Sequence, residues 1–175
     1  ALTLARDPMG IKPLFLWWSG GRLVFASELK AFLGLAGFQA RPDFVALRQF
    51  LEYSFIPDLE RASLEGVKKL PPGHVLTVTA EDAAASRRPK PRPYFAPPRV
   101  ERSEEGTWSL DARADRLYAT MSEVVRQHLV ADVPVGLLLS GGLDSSVVAA
   151  LARRHGPVRT LSMGFAESGL DERPF

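Results

Sequence analysis

The chain contains no cysteine, which excludes, within these residues, a disulfide framework, a thiolate metal site and a cysteine nucleophile. That absence is compatible with a cytoplasmic location, which is the expectation. No apolar run approaches the ~20 residues that a membrane-spanning helix needs, and the opening residues lack the charged-then-apolar order of a signal peptide. No membrane association is expected. Charge of one sign is also missing: 22 Lys and Arg stand against 20 Asp and Glu, a formal net charge of +2. Such a balance gives no case for a nucleic-acid surface. The 3 histidines have no metal-ligand spacing, so His74 and His128 read as structural or surface groups. Internal repeats are absent, as are the two common glycine-rich nucleotide signatures, G-x-x-x-x-G-K-S/T and G-x-G-x-x-G.

What is present is ordinary globular composition: 175 residues, 46% hydrophobic and 24% charged, enough for one or two domains. Leu2 to Ala5 can form a short strand that Arg6-Asp7-Pro8-Met9-Gly10 turns out of, Pro8 fixing a turn dihedral and Gly10 permitting the exit. Leu14 to Trp18, a Ser19-Gly20-Gly21 turn and Arg22 to Ala26 give the strongest hairpin signal in the chain. Ser27 can cap a short helix through Leu33. Pro42 and Asp43 can start another, with Phe44, Leu47, Phe50 and Leu51 on one face that should cover the sheet. After Tyr53 periodicity fades until Gly66-Val67-Lys68-Lys69-Leu70-Pro71-Pro72-Gly73, whose diproline-glycine turn leads into a further strand over His74 to Thr79. From Glu81 to about Glu105, alanine, arginine and proline dominate, which reads as a solvated linker.

The second half changes character. Asp111 to Ala131 has helical spacing, with Leu117, Met121, Val124, Val125 and Leu129 on one stripe. Pro134 opens a strand whose end, Leu137 to Leu139, reads as covered on both faces. Ser145 to His155 forms the next helix, and Val158 to Phe165 a second strand. This is a β-α-β unit with a parallel sheet. Two parallel strands bury too little surface for such a sheet, so the chain is expected to be an internal fragment.

The link between that strand and helix is Ser140-Gly141-Gly142-Leu143-Asp144-Ser145-Ser146. Glycines there admit close backbone approach, hydroxyls supply polar contacts, and the first N–H groups of the helix lack intrahelical partners, which together suit a phosphate. The competing reading is a serine-rich helix cap with Asp144 stabilising the first turn.

Ser-Gly-Gly-x-Asp-Ser-Ser after an apolar strand resembles the PP-loop of ATP pyrophosphatases. More widely, Arg6 to Leu14, Phe25 to Ala31, Leu70 to His74, Asp132 to Ser146, and Gly164-Phe165 with Asp171-Glu172 resemble glutamine-hydrolysing asparagine synthase of the B type. The resemblance implies an α/β architecture: the last part of an Ntn-type αββα glutaminase domain over residues 1–97, a linker over 98–112, and the start of a parallel α/β PP-loop domain over 113–175. It implies glutamine, aspartate and ATP as substrates, Mg²⁺ as an accompanying ion, and is compatible with a homodimer. By position, Asp7 matches the residue that binds the α-amino group of glutamine, although an Asp-Pro turn alone would also explain it. Ser140, Gly141, Gly142, Asp144, Ser145 and Ser146 match the ATP loop, with Asp144 also toward Mg²⁺. Leu138 and Met163 match positions lining the adenine or ribose, where ordinary strand core is the rival reading. The family's nucleophilic amino-terminal cysteine is not in this chain, so no catalytic residue is assigned, and the fragment alone is expected to be inactive. Alternatives on the same scaffold are an amidotransferase or β-lactam synthetase-like cyclase with another acceptor, or a non-catalytic regulatory or interaction protein.

Overall fold

The structure, a computed structural model, describes residues 1–98 and 108–164. It divides into two compact units, Ala1–Arg99 and Val100–Phe175, both of mixed α and β structure.

In the first unit the expected hairpin forms as β2 (Phe15–Ser19) and β3 (Arg22–Ala26), joined by Gly20-Gly21 and paired Phe15 to Ala26 through Ser19 to Arg22. β4 (Val67–Lys69) pairs on the other edge of β2, giving an antiparallel sheet of order β3-β2-β4. A second antiparallel sheet has the order β1-β5-β6, from β1 (Leu2–Ala5), β5 (His74–Val78) and β6 (Arg92–Pro93). Alternation along β2 divides its side chains between two clusters, as the pleat requires. Leu16 and Trp18 join Leu4, Leu70, Leu76 and Val78, a cluster drawn from both sheets. Phe15 and Trp17 instead pack toward Phe32, Ala62 and Val67. There Trp17 meets Phe38 edge-on, ring centroids 5.1 Å apart, a favoured aromatic geometry.

Three expectations for this unit are corrected. Ser27 caps nothing: a single 3-10 turn runs Leu29–Phe32 behind Glu28, whose carboxylate pairs with the Lys30 ammonium at 2.7 Å rather than capping the turn's N–H groups. α1 (Phe44–Tyr53) starts where expected, Asp43 Oδ1 accepting from Val45 and Ala46 N–H at 3.0 Å each. Its apolar stripe does not cover a sheet, however, since Ala46 is the one buried residue of the helix while Phe44 and Leu51 are 72% and 76% exposed. The sheet face is covered by Phe32, Phe38 and Leu64 instead. Finally, the residues after Glu81 do not all form a linker. Thr79 and Asp82 close a capping box on α2 (Ala80–Ala84), and β6 pairs with β5. Pro93 is tolerated because β6 is an edge strand.

The second unit runs α3 (Leu110–His128), β7 (Gly136–Leu138), α4 (Leu143–His155) and β8 (Arg159–Leu161). β7 and β8 pair in parallel, Gly136 to Arg159 through Leu138 to Leu161, so the expected β-α-β unit is present. α3 and α4 meet through Ser122 Oγ and His155 Nε2 at 3.1 Å and through Arg154 stacked 5.4 Å over Tyr118. Of the expected stripe, Val124, Val125 and Leu129 line an apolar cavity of about 290 Å³ together with Leu137, Val148 and Ala152. The expectation that Leu137 to Leu139 are covered on both faces is not met: Leu137 is half-buried and Leu138 is 79% exposed. Each strand of a two-stranded sheet is an edge strand, so one helical layer covers one face only. Phe165 and Asp171-Glu172 lie outside the described residues. Among the described residues no helix is long and apolar enough to cross a membrane.

Candidate active site

β7 delivers the chain to a turn that α4 then leaves, and both parallel strands end on this side. The carboxyl ends of parallel strands are where open α/β sheets place ligands. Leu139 N–H still donates to Leu161 O at 2.9 Å, which fixes the start of the turn to β8. Gly141 has φ +85°, a left-handed conformation that a side chain disfavours, and it lets the backbone reverse into the helix.

α4 begins two residues earlier than the expected Ser145, with Gly142 at the cap position and no side chain capping it. Ser145 is therefore the third helical residue. Its hydroxyl donates to Gly142 O at 3.1 Å, accepts from Ser140 N–H at 3.3 Å and lies 3.1 Å from Ser140 Oγ. Ser140 Oγ in turn accepts from Gly142 N–H at 3.4 Å, and Ser146 N–H closes the first helical bond on Gly142 O at 3.1 Å. The serines thus hold the turn open in a defined shape. Leu143, Asp144 and Ser145 N–H donate to nothing among the described residues. Three donors at the positive end of a 13-residue helix are left for an anion.

Asp144 is exposed in that first turn, and among the described residues its carboxylate has no hydrogen-bond or ion-pair partner. No cluster of three or more metal-ligating side chains forms among the described residues. A single free carboxylate beside N–H donors open to an anion could hold Mg²⁺, which is commonly bound by one or two carboxylates together with substrate phosphates. Leu138 immediately precedes the turn and Met163 follows β8 by two residues; they are 79% and 74% exposed. Their exposure leaves them free for contact with a flat apolar group.

Asp7 lies in the other unit. Its Oδ2 accepts from Ile11 N–H at 2.8 Å and its Oδ1 from Lys12 N–H at 3.1 Å. The Lys12 and Ile11 amides hold its carboxyl below the ordinary aspartate range, so it is an anion at neutral pH with lone pairs to spare. Its own carbonyl accepts from Gly10 and Gly73 N–H, both at 3.0 Å. The two stretches singled out in the sequence, Arg6–Gly10 and Leu70–His74, are thereby brought against each other.

Sequence reasoning missed Arg6. Its guanidinium donates to Lys12 O at 2.9 Å, Leu70 O at 2.8 Å and Gly10 O at 2.9 Å. Tyr94 Oη donates to Arg6 O at 2.7 Å. No local pattern announces the bonds to Leu70 and Tyr94, which are 64 and 88 positions away.

Residues 1–90 match the glutamine amidotransferase domain family, and the chain belongs to that family. Residues 116–175 match the asparagine synthase family. A putative asparagine synthetase (glutamine-hydrolyzing) of Mycobacterium tuberculosis is 38% identical over 98% of this chain and 26% of its own length. Asparagine synthetase (glutamine-hydrolyzing) 1 of Bacillus subtilis is 34% identical over 96% of this chain and 25% of its length. The protein named Amidase chry2 of Gibberella zeae is 33% identical over 86% of this chain and 21% of its length. The chain therefore spans about a quarter of the length of the curated relatives it matches.

Proposed function

We propose that this chain is part of an ATP-dependent, glutamine-hydrolysing asparagine synthase. Residues 1–97 are read as the last part of an Ntn-type αββα glutaminase, 98–112 as a linker and 113–175 as the opening of a PP-loop domain. The observation that carries the reading is the turn at Ser140–Ser146: a serine-braced shape, three undonated N–H groups and the free Asp144 carboxylate at the carboxyl end of a parallel strand.

In this reading Leu143, Asp144 and Ser145 N–H, with the Ser140 and Ser146 hydroxyls, hold the pyrophosphate half of ATP as negative charge accumulates there. Asp144 would hold Mg²⁺, which supplies further charge neutralisation at the phosphates. Leu138 and Met163 face the adenine or ribose. An aspartate β-carboxylate oxygen attacks the α-phosphorus, the bond to pyrophosphate breaks, and ammonia then attacks the acyl carbon to release AMP and asparagine. Asp7 binds the α-ammonium of the glutamine that supplies the ammonia. The reaction belongs to the cytoplasm, and a homodimer is compatible with it. A second reading, in which the same activation serves a different acceptor, stands beside it because one relative carries the name amidase rather than asparagine synthetase.

The test supplies the complete protein with glutamine, aspartate, ATP and Mg²⁺ and follows the products. AMP, pyrophosphate and asparagine in equal amounts are expected. Pyrophosphate without asparagine would reject aspartate as acceptor, and ADP with inorganic phosphate would reject the loop assignment.

A further inference from the structure

One edge of the first unit is bordered on both sheets by this chain's own segments. Lys69 N–H donates to Glu60 O at 2.7 Å and Arg61 bridges to Lys68, so Glu60 and Arg61 run along the outer side of β4, while β6 pairs along the outer side of β5. Glu60, β4 and the residues leading into β6 line a cavity of about 610 Å³, a size that suits a small ligand. Its floor is apolar: Leu16 and Leu76 of the inter-sheet cluster, with Trp18 packed against them. Four cationic side chains, Lys68, Lys69, Arg88 and Lys90, line it against the single carboxylate of Glu60. The basic run expected to be solvated is therefore partly gathered at this cavity, on a backbone that Pro89 and Pro91 restrict. Arg88 and Lys90 have no hydrogen-bond or ion-pair partner among the described residues. Lys68 is balanced by Glu60 Oε2 at 3.2 Å, and Lys69 Nζ donates to the Ile56 carbonyl at 3.3 Å. Burial, and then the neighbouring Arg6 charge, push the Lys69 ammonium below its ordinary value, a cost that a bound anion would offset.

We propose that this cavity binds a small phosphorylated organic anion, its phosphate among Lys69, Arg88 and Lys90 and its organic part on Leu16, Trp18 and Leu76. A phosphate monoester carries about two negative charges at neutral pH and three strong acceptor oxygens. Those match one guanidinium fork and two ammonium groups, whereas a carboxylate brings a single charge. The apolar floor gives the rest of the ligand a surface to cover, and the flat Trp18 ring favours a planar group. None of these cations is among the residues assigned to glutamine or to ATP, so the site is additional to both.

The test titrates the complete protein with phenyl phosphate by calorimetry, beside inorganic phosphate and benzoate, for wild type, Arg88→Met, Lys69→Met and Glu60→Gln, with thermal unfolding in parallel. Wild type is expected to bind phenyl phosphate at least about tenfold more tightly than either of the other two probes. Arg88→Met and Lys69→Met are each expected to weaken that binding about tenfold, the loss of one charge-assisted bond. Glu60→Gln frees Lys68 and is expected to tighten it about threefold, a gain that disturbed folding does not produce. Absence of phenyl phosphate binding by wild type overturns the proposal. Unchanged affinity in Arg88→Met overturns it equally, since that side chain makes no bond among the described residues that folding would miss. Equal affinity for inorganic phosphate would contradict the apolar floor, and equal affinity for benzoate would contradict the phosphate; either result rejects the ligand class. If Lys69→Met does not fold, Arg88→Met and Glu60→Gln decide the outcome.

Discussion

Ser140 Oγ and Ser145 Oγ stand 3.1 Å apart across the turn between β7 and α4. That contact, with the bonds from Ser140 N–H and to Gly142 O, makes one hydroxyl the brace of the whole turn. The N–H groups of the first helical turn are kept pointing outward because the serines bond to each other and to the cap, not to those donors.

Ser145→Ala removes the brace. Each lost bond costs about 1 kcal/mol of local order, and misdirected donors at a site of accumulating charge cost roughly 10²-fold or more in rate. Aspartate-dependent exchange of labelled pyrophosphate into ATP is expected to fall by about that factor. Glutamate release serves as the control for folding. Exchange at the wild-type rate would show that the hydroxyl is incidental to the site.

Gly10→Ala acts on the other unit. Gly10 has φ +67°, and a Cβ there would lie 2.7 Å from Pro72 Cγ as well as against the Arg6 guanidinium. Left-handed strain alone costs about 1–3 kcal/mol, and Pro72 is a stiff neighbour. A lower unfolding temperature together with a raised KM for glutamine is expected from melting curves and glutamate release. An unaltered melting temperature would contradict the packing of the Arg6–Gly10 and Leu70–His74 stretches.

The first unit also carries an acid-sensitive element. The Asp82 carboxyl is held down to about 2 by the Thr79 hydroxyl, then the Thr79 N–H and Arg87. In the unfolded chain it takes up its proton near the ordinary value of 3.8. The unfolded state thus binds the proton at higher pH, so the contribution is complete above about pH 4 and is lost as pH falls toward about 2. Denaturant midpoints measured across that window are expected to fall less steeply for Asp82→Asn than for wild type. Equal slopes would mean that the capping box does not contribute.

Much of the fold is legible because its signals are local. The Gly20-Gly21 turn between alternating strands, Asp43 before an amphipathic run, and an apolar strand opening into Ser140-Gly141-Gly142 all depend on neighbours in sequence. Failures come where contacts at long separation decide. The stripe of α1 has a helix's spacing, yet spacing cannot say whether a partner face exists, and Phe44 and Leu51 remain exposed. Prolines around Arg92 suggest a linker until the vacant edge of β5 makes Pro93 an acceptable strand residue. At the sites, Asp7 and the serine loop stand out by residue type and order. Arg6 does not, because its partner Leu70 precedes β5 and comes near only through the pairing of β5 with β1.

In the proposed reaction the acceptor carboxylate becomes bonded to the α-phosphorus of ATP. Aspartate labelled with ¹⁸O in its β-carboxylate, supplied with glutamine, ATP and Mg²⁺ to the complete protein, tests this by mass spectrometry of the nucleotide. Attack on the α-phosphorus followed by ammonia leaves one labelled oxygen on AMP for each asparagine formed. Labelled AMP is the expected result; unlabelled AMP, or label recovered in inorganic phosphate, would contradict the assignment of the Ser140–Ser146 turn.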